Sequence, residues 1–374
     1  MKNFKSGTFI NQGTYKSFLP NHINKKWEID DMEVISLLSK ADRMLGRLDM
    51  FSNHIPNIDL FIAMHIIKEA TQSTKIEGTQ TNMDEAIMEK EDVPLDKRDD
   101  WAEVQNYIAA INTAIEDLNT LPLSSRLIKK THKILMQGVR GEHKQPGEFR
   151  TSQNWIGGYS ISDAIFVPPT HHEIADLMSD IEKFIHTPNY PLPELIKIAI
   201  IHYQFETIHP FNDGNGRVGR LLITLYLVSI GLLKKPVLYL SDYLENNRSS
   251  YYSAITKVRT DNDVKAWIVF FLKGVIETAE RSVETFNQIL AINKEYKNTI
   301  QQMGSRSAKA LKLIEAMYVS PSTNAQKVAE ITGTTQQSAY ALISEMEALG
   351  ILAETTGGRR GKRYILKAYF DIFR

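Results

Sequence analysis

The 374 residues contain no cysteine. That excludes disulfides, thiolate zinc sites and a cysteine nucleophile, and it fits a reducing compartment. An excess of charge is missing too, since 44 basic and 44 acidic residues cancel. Any basic surface for nucleic acid therefore has to be local. No apolar run is long enough to span a bilayer. The best candidate, LLITLYLVSIGLL (221–233), has the length of a buried core helix. The first residues, MKNFKSGTFINQGTYKSFLP, lack the continuous apolar stretch of a signal peptide. Internal repeats and low-complexity tracts are absent as well. These absences lead to the expectation of a cytoplasmic protein with no membrane partner.

What is present reads as globular: 43% of residues are hydrophobic and 24% charged. The length favours two or three domains. The first thirty residues show no period and read as an ordered arm or loop. Two helices fit the spacing of Leu, Ile and Met from Asp31 to about Ile76, broken near SNHIPN. The charged segment EKEDVPLDKRDD (89–100) reads as a surface connection, and helical periodicity returns at Trp101. Within it, GEFRTSQNWIGGYSISDAIFVPP (147–169) suggests a hairpin among helices. Residues 194–208 and 217–233 read as helices flanking a polar loop, and a further helical stretch runs from about Ser249 to Ile300. The fold class expected is mostly α, with a small α+β domain at the C-terminus.

The polar loop is HPFNDGNGRVGR, residues 209–220. Gly214, Asn215 and Gly216 tolerate backbone conformations closed to most residues, so the loop can turn amides inward as an anion nest. The helix behind it adds unpaired N–H groups and the positive end of its dipole. Arg217 and Arg220 lie three apart, which predicts one shared helix face. Cations at a helix N-terminus are otherwise unfavourable, so the pattern asks for a bound polyphosphate. No Lys–Ser/Thr pair follows the glycines and no strand precedes them, which excludes a Walker A loop and a dinucleotide fingerprint. Asp213 is suited to hold Mg²⁺ against phosphates, and His209, four residues earlier, to take a proton from a hydroxyl. A zinc hydrolase fits less well: His202 and His209 are too far apart for pairing on one helical turn, and His171–His172 has no carboxylate arrangement beside it.

At every fixed position this stretch matches the Fic family signature, HPFx(D/E)GNGRxxR, and the chain resembles Fic proteins that transfer AMP from ATP to a protein hydroxyl. The resemblance covers roughly residues 101–290 as a catalytic core. It implies that His209 is the general base for a target Ser, Thr or Tyr, and that Asp213 coordinates Mg²⁺ between the α- and β-phosphates. It also implies that Gly214, Asn215 and Gly216 form the anion hole, and that Arg217 and Arg220 grip the β- and γ-phosphates. Attack on the α-phosphorus would release pyrophosphate, with positioning and charge neutralisation doing most of the catalysis. The signature is shared with enzymes that transfer phosphocholine, so transfer of another phosphate-containing group, or removal of AMP, stays open.

Three more stretches follow from the same resemblance. Residues 154–169 resemble the Fic flap, with Ile156, Gly157 and Gly158 on the edge that would dock a target segment as an added strand. LENNRSSYY (244–252) resembles the nucleoside-side region, with Tyr251 and Tyr252 near adenine or ribose. QSTKIEG (72–78) resembles the inhibitory motif (S/T)xxxE(G/N), here Ser73, Glu77 and Gly78. Its glutamate would pair with Arg220 in place of the γ-phosphate. A plain helix end with a glycine cap leaves Glu77 unexplained, because an acid near a helix C-terminus opposes the dipole.

The C-terminal part reads as helix (308–318), helix (324–332), tight turn at Gly333, helix (334–350) and two strands joined by a basic hairpin. That order resembles a winged helix-turn-helix. Thr334, Thr335, Gln336, Gln337 and Tyr340 would then face a major groove, and Arg359, Arg360, Lys362 and Arg363 would touch phosphates. The same module also serves dimerisation and protein binding. The organisation expected is an N-terminal helical region with the inhibitory helix (1–100), a Fic core (101–290) and a winged-helix domain (305–374). Its partners would be ATP, a protein substrate, possible DNA and a second copy in a homodimer. The competing function is a DNA-binding regulator that uses the Fic core as a nucleotide sensor.

Overall fold

The computed structural model of the protein describes residues 4–54, 58–187, 192–358 and 361–374. Two helices that are apolar on nearly every side sit at its centre, because a helix with no polar face has to be surrounded. In chain order, a hairpin of β1 (Gly7–Asn11) and β2 (Lys16–Pro20) leads into the helices α1 (Met32–His54), α2 (Ile58–Ile76) and α3 (Met83–Ala86). There follow α4 (Arg98–Asp117), α5 (Ser125–Leu135), α6 (Ile174–His186), α7 (Glu194–Ile208) and α8 (Asn215–Ser229). The last two are the central pair, and every residue of α7 after Glu194 is buried. Around them lie α9 (Ser241–Asn246), α10 (Arg248–Asp261) and the 38-residue α11 (Val264–Gln301).

The chain closes with α12 (Ser307–Val319), β3 (Ser322–Thr323), α13 (Ala325–Thr332), α14 (Gln336–Ala348), β4 (Leu352–Glu354), β5 (Tyr364–Leu366) and α15 (Lys367–Asp371). The strand order is β3-β5-β4, all antiparallel, with Ser322 opposite Ile365 and Leu352 opposite Leu366. Gly333 takes φ +64° between α13 and α14, the left-handed turn that a glycine allows there. Helix α2 packs against α4, α9 and α12, and α1 lies along α11. The C-terminal unit therefore rests directly on α2, through Phe61 against Tyr318 and His65 against Phe373.

Several elements depart from the sequence expectation. The N-terminal arm is a paired hairpin, and its Phe18 N–H donates to Val167 O at 2.9 Å, which ties it to the 154–169 segment. That segment is not a two-stranded hairpin. Only Ile156 and Phe166 pair, and a short 3-10 turn at Ile161–Asp163 fills the tip. The stretch after Ser249 is two helices, because Asn262 turns left-handed (φ 57°) and Asp263 caps α11 by accepting from Ala266 N–H. Helix α8 starts two residues earlier than expected, at Asn215, and its last turn gives way at Gly231 (φ 70°) rather than reaching Leu233. Among the described residues, no helix is long and apolar enough to cross a membrane.

Candidate active site

The loop between α7 and α8 is built by two left-handed residues. His209 ends α7 at φ 51°, an uncommon conformation for a residue other than glycine, and Gly214 opens α8 at φ 73°. Asn215 closes the loop on itself, since Phe211 N–H donates to its Oδ1 and its Nδ2 donates to Phe211 O, both at 2.8 Å. Its side chain is thus a buried brace, and what faces outward is backbone. The amides of residues 215–217 precede the first helical bond, Val218 N to Gly214 O, so they belong to the unpaired end of α8.

His132, on α5, pins the loop from below. Its ring stacks on Phe211 at 3.8 Å, its Nδ1 accepts from Gly147 N–H at 2.8 Å, and its Nε2 donates to Asp213 O at 3.0 Å. Those two bonds fix one neutral tautomer. Burial agrees, pulling the imidazole down to about 4. Arg150 does the same from the other side: its buried guanidinium donates to His209 O, Ser152 O and Pro169 O, joining the loop to both ends of the 154–169 segment.

His209 is half-buried, and its Nδ1 has no hydrogen-bond partner. Burial pulls its imidazole down to about 4, with Glu77 opposing and Arg259 and Arg150 adding to the fall. The Glu206 backbone also opposes the fall, and an imidazole that stays neutral is in the protonation state a base needs at physiological pH. Asp213 sits at the rim. Burial works against its charge, yet Lys144 (2.9 Å) and Arg217 (3.6 Å), with the Gly214 amide (2.7 Å), hold the carboxyl below its usual range.

The spacing of Arg217 and Arg220 predicts one shared face, but their guanidiniums part. Arg217 reaches α4, where its Nη1 donates to buried Glu103 at 3.1 Å. Arg220 reaches α2, where its Nε donates to Ser73 Oγ at 2.8 Å and its Nη2 to Ser73 O at 2.9 Å and Glu77 Oε1 at 2.6 Å. Burial favours expelling the Glu77 proton less than bulk water does, but Arg220, then Arg217 and His209, more than reverse this and keep Glu77 ionised. Glu77 therefore lies over the positive end of α8, in contact with Arg220 and within the field of Arg217. Gly216 admits it, since a Cβ there would collide with Glu77 Oε1. Gly219 performs the same service one turn on for Glu206, a buried carboxyl whose Oε1 has no partner. Gly78 follows α2 at φ 104°, a backbone turn that a side chain would strain.

The remaining expected residues divide. Ile156 carries the single bridge to Phe166, and Gly157 and Gly158 both take positive φ, packing against Ile165 and Asp163 so closely that neither has room for a Cβ. Tyr252 is 44% exposed, whereas Tyr251 is 1% exposed. Tyr251 therefore departs from the nucleoside-facing expectation: its hydroxyl donates to His202 Nε2 at 2.9 Å, and His202 Nδ1 donates to Gly219 O. It braces α8 from behind.

In the C-terminal unit Gln336, Gln337 and Tyr340 are exposed, but Arg363 pairs with Asp92 and Lys362 with Glu354. Arg359 and Arg360 lie outside the described residues. Glu103, His132, Lys144, Arg150 and Glu206 carry no local motif, and their part in the site appears only when distant helices meet. Among the described residues, no group of three or more His, Cys, Asp or Glu side chains is placed to hold a metal ion. A lone rim carboxylate beside an anion nest still fits a magnesium ion that takes its remaining ligands from phosphate and water.

Comparison with known proteins finds relatives over the helical part of the chain. Residues 35–116 match the family model for the Fic/DOC family N-terminal region, and residues 122–227 match the Fic/DOC family. A protein adenylyltransferase Fic from Aedes aegypti is 27% identical over 191 residues, 48% of this chain and 34% of its own. Its counterpart from Drosophila sechellia is 29% identical over 187 residues, again 48% of this chain and 34% of its own. The match spans about a third of the length of these curated relatives. Among solved structures, a Fic family protein from Desulfovibrio desulfuricans G20 aligns with a TM-score of 0.57 at 19% identity, over 91% of this chain and 98% of its own. A Fic domain containing signaling protein from Bacteroides thetaiotaomicron aligns at 0.52 and 18% identity, over 67% of this chain and 96% of its own.

Proposed function

The chain belongs to the Fic family, and on that footing we propose that it is a protein adenylyltransferase held in check by its own Glu77. The observation that carries the proposal is the ion pair between Glu77 and Arg220 at the start of α8, 2.6 Å long, beside a neutral His209. A triphosphate seated on the α8 amides would present its terminal phosphate to Arg220, where the carboxylate now lies. The nucleotide and Glu77 thus compete for one guanidinium.

In the proposed reaction His209 accepts the proton of a target Ser, Thr or Tyr hydroxyl. The oxygen attacks the α-phosphorus in line, the bond to the β-phosphate bridging oxygen breaks, and pyrophosphate leaves with the electron pair. Asp213 would hold a magnesium ion, which when bound supplies positive charge to the phosphates. Lys144 has to release Asp213 for this. Arg217, already held by Glu103, stays oriented toward the phosphate chain, and the α8 amides stabilise its negative charge without reorganisation. His132 and Arg150 keep the loop and the 154–169 segment in register. Trp155, Tyr159 and Ile165 of that segment are exposed, which supports a role in docking a target chain.

For the C-terminal unit, the order of helices and strands supports a winged-helix reading. Its hairpin cations Lys362 and Arg363 are paired within the chain, so contact with DNA phosphates would require them to exchange partners. The transfer reaction is tested by intact-mass spectrometry of the Glu77→Gly protein after incubation with ATP and Mg²⁺. The mass should rise by one or more AMP groups, and Glu77→Gly with His209→Ala should stay unmodified. An unmodified Glu77→Gly protein, with or without added candidate targets, contradicts the proposal.

A further inference from the structure

Glu69 lies on α2 eight residues before Glu77, with Ser73 midway. Steps of four residues put all three side chains on one helix face. Glu69 is 3% exposed, a position that a carboxyl tolerates only when its oxygens are bonded. Here three donors converge on it. Tyr107 OH, from α4, donates to Oε1 at 2.9 Å. Ser241, the first residue of α9, donates its Oγ proton to Oε1 at 2.6 Å and its N–H to Oε2 at 3.1 Å. Two acceptor oxygens facing three donors is a match for a carboxylate. A glutamine offers one oxygen and turns an NH₂ toward a donor.

These bonds lock α2 to two neighbouring helices on the face that carries Ser73 and Glu77. The lock matters because the helix end is sensitive to rotation. With side chains about 5–6 Å from the axis, a turn of roughly 20° moves their tips by about 2 Å, enough to part Glu77 from Arg220. Burial also pushes the Glu69 carboxyl up, with the bonds from Ser241 and Tyr107 opposing, so its network is held together by those donors.

We propose that Glu69 is a positioning residue of the brake: by binding Tyr107 and Ser241 it sets the rotation of α2, and through it the reach of Glu77 to Arg220. The inference rests on the reading of Glu77 as inhibitory. It makes Glu69 act only through Glu77, which gives a test by epistasis.

The test measures self-modification with ATP labelled at the α-phosphate, as kcat and KM for ATP, in the full chain. Glu69→Gln alone should raise kcat about fivefold or more, in the range of ordinary coupling between sites. Tyr107→Phe, which keeps the ring and removes one donor, should raise it in the same direction by less. Glu69→Gln combined with Glu77→Gly should match Glu77→Gly alone in both kcat and KM. A thermal melt of each variant shows that it is folded, and Tyr107→Phe decides should Glu69→Gln fail to fold. No rise in either single variant, where Glu77→Gly does rise, overturns the positioning role. A double variant with lower kcat than Glu77→Gly also overturns it, since Glu69 would then support the core itself. If Glu77→Gly shows no rise, the brake itself is wrong.

Discussion

Arg220 and Glu77 meet at 2.6 Å across 143 residues of sequence, and the same guanidinium is bonded twice to Ser73. The arginine is buried, so removing its partner leaves a charge without compensation. Glu77→Gly should therefore lower the thermal unfolding midpoint by a few degrees in the absence of nucleotide. The loss is moderated because the Glu77 side chain is partly open to solvent. ATP should restore the midpoint more in this variant than in the parent, because the phosphate supplies the missing anion. Differential scanning fluorimetry with and without ATP checks both.

His209 as the proposed base sets the pH dependence expected of the Glu77→Gly protein. Burial holds its imidazole at about 4, and Glu77 opposes this most, ahead of the Glu206 backbone. Removing Glu77 takes away the opposing field, so the base stays neutral well below its ordinary range near 6.5. The kcat/KM of Glu77→Gly should stay flat from pH 8 to about pH 6, where an ordinary histidine would already be half-protonated near 6.5. A half-loss centred near 6.5 in that profile contradicts the assignment of a desolvated base.

Glu206 reports on stability with the opposite sign. Burial pushes its carboxyl up to about 7, with Arg220 and Arg259 opposing and Glu77 adding to the rise. An acid with a raised folded pKa binds its proton more tightly in the native state. Its contribution favours the fold below about pH 4.5 and is lost as pH rises through about 7. Glu206→Gln, neutral at every pH, should be more stable than the parent at pH 8, by on the order of 3 kcal/mol at most. The difference should shrink toward pH 5. Urea melts at the two pH values measure it.

The proposed magnesium ion would have to displace Lys144 from Asp213, whose Oδ2 now lies 2.9 Å from the ammonium. In the Glu77→Gly background, Lys144→Ala should lower the Mg²⁺ concentration needed for half-maximal transfer, and Asp213→Asn should raise it by about tenfold or more. A magnesium titration of the three proteins separates these shifts from a general loss of activity.

Much of the helical frame was legible because its signals are local. The apolar spacing of 194–208 and the run after Gly219 marked α7 and α8, and the twelve residues from His209 to Arg220 carry their chemistry in order. The hairpin at Gly7–Pro20 was not legible, since its residues show no period, and the bond from Phe18 to Val167 far along the chain leaves no local signal. Tyr251 reads as an aromatic beside a ligand until His202 and Gly219 close on it. Glu69, Glu103, His132 and Arg150 look like ordinary helix and loop residues in sequence. Only packing shows that each holds another residue of the site in place. The three glycines of the motif also have separate reasons in the structure: Gly214 supplies a left-handed cap, while Gly216 and Gly219, inside α8, make room for two carboxylates.

Competition for Arg220 is tested most directly by side-by-side labelling of the parent, Glu77→Gly, and Glu77→Gly with Arg220→Ala, using ATP labelled at the α- or the γ-phosphate with Mg²⁺. Protein-bound α-label should rise at least about tenfold in Glu77→Gly over the parent and fall away when Arg220 is also removed, and no γ-label should remain on protein. Equal α-labelling of parent and Glu77→Gly, or stable γ-label, would contradict it.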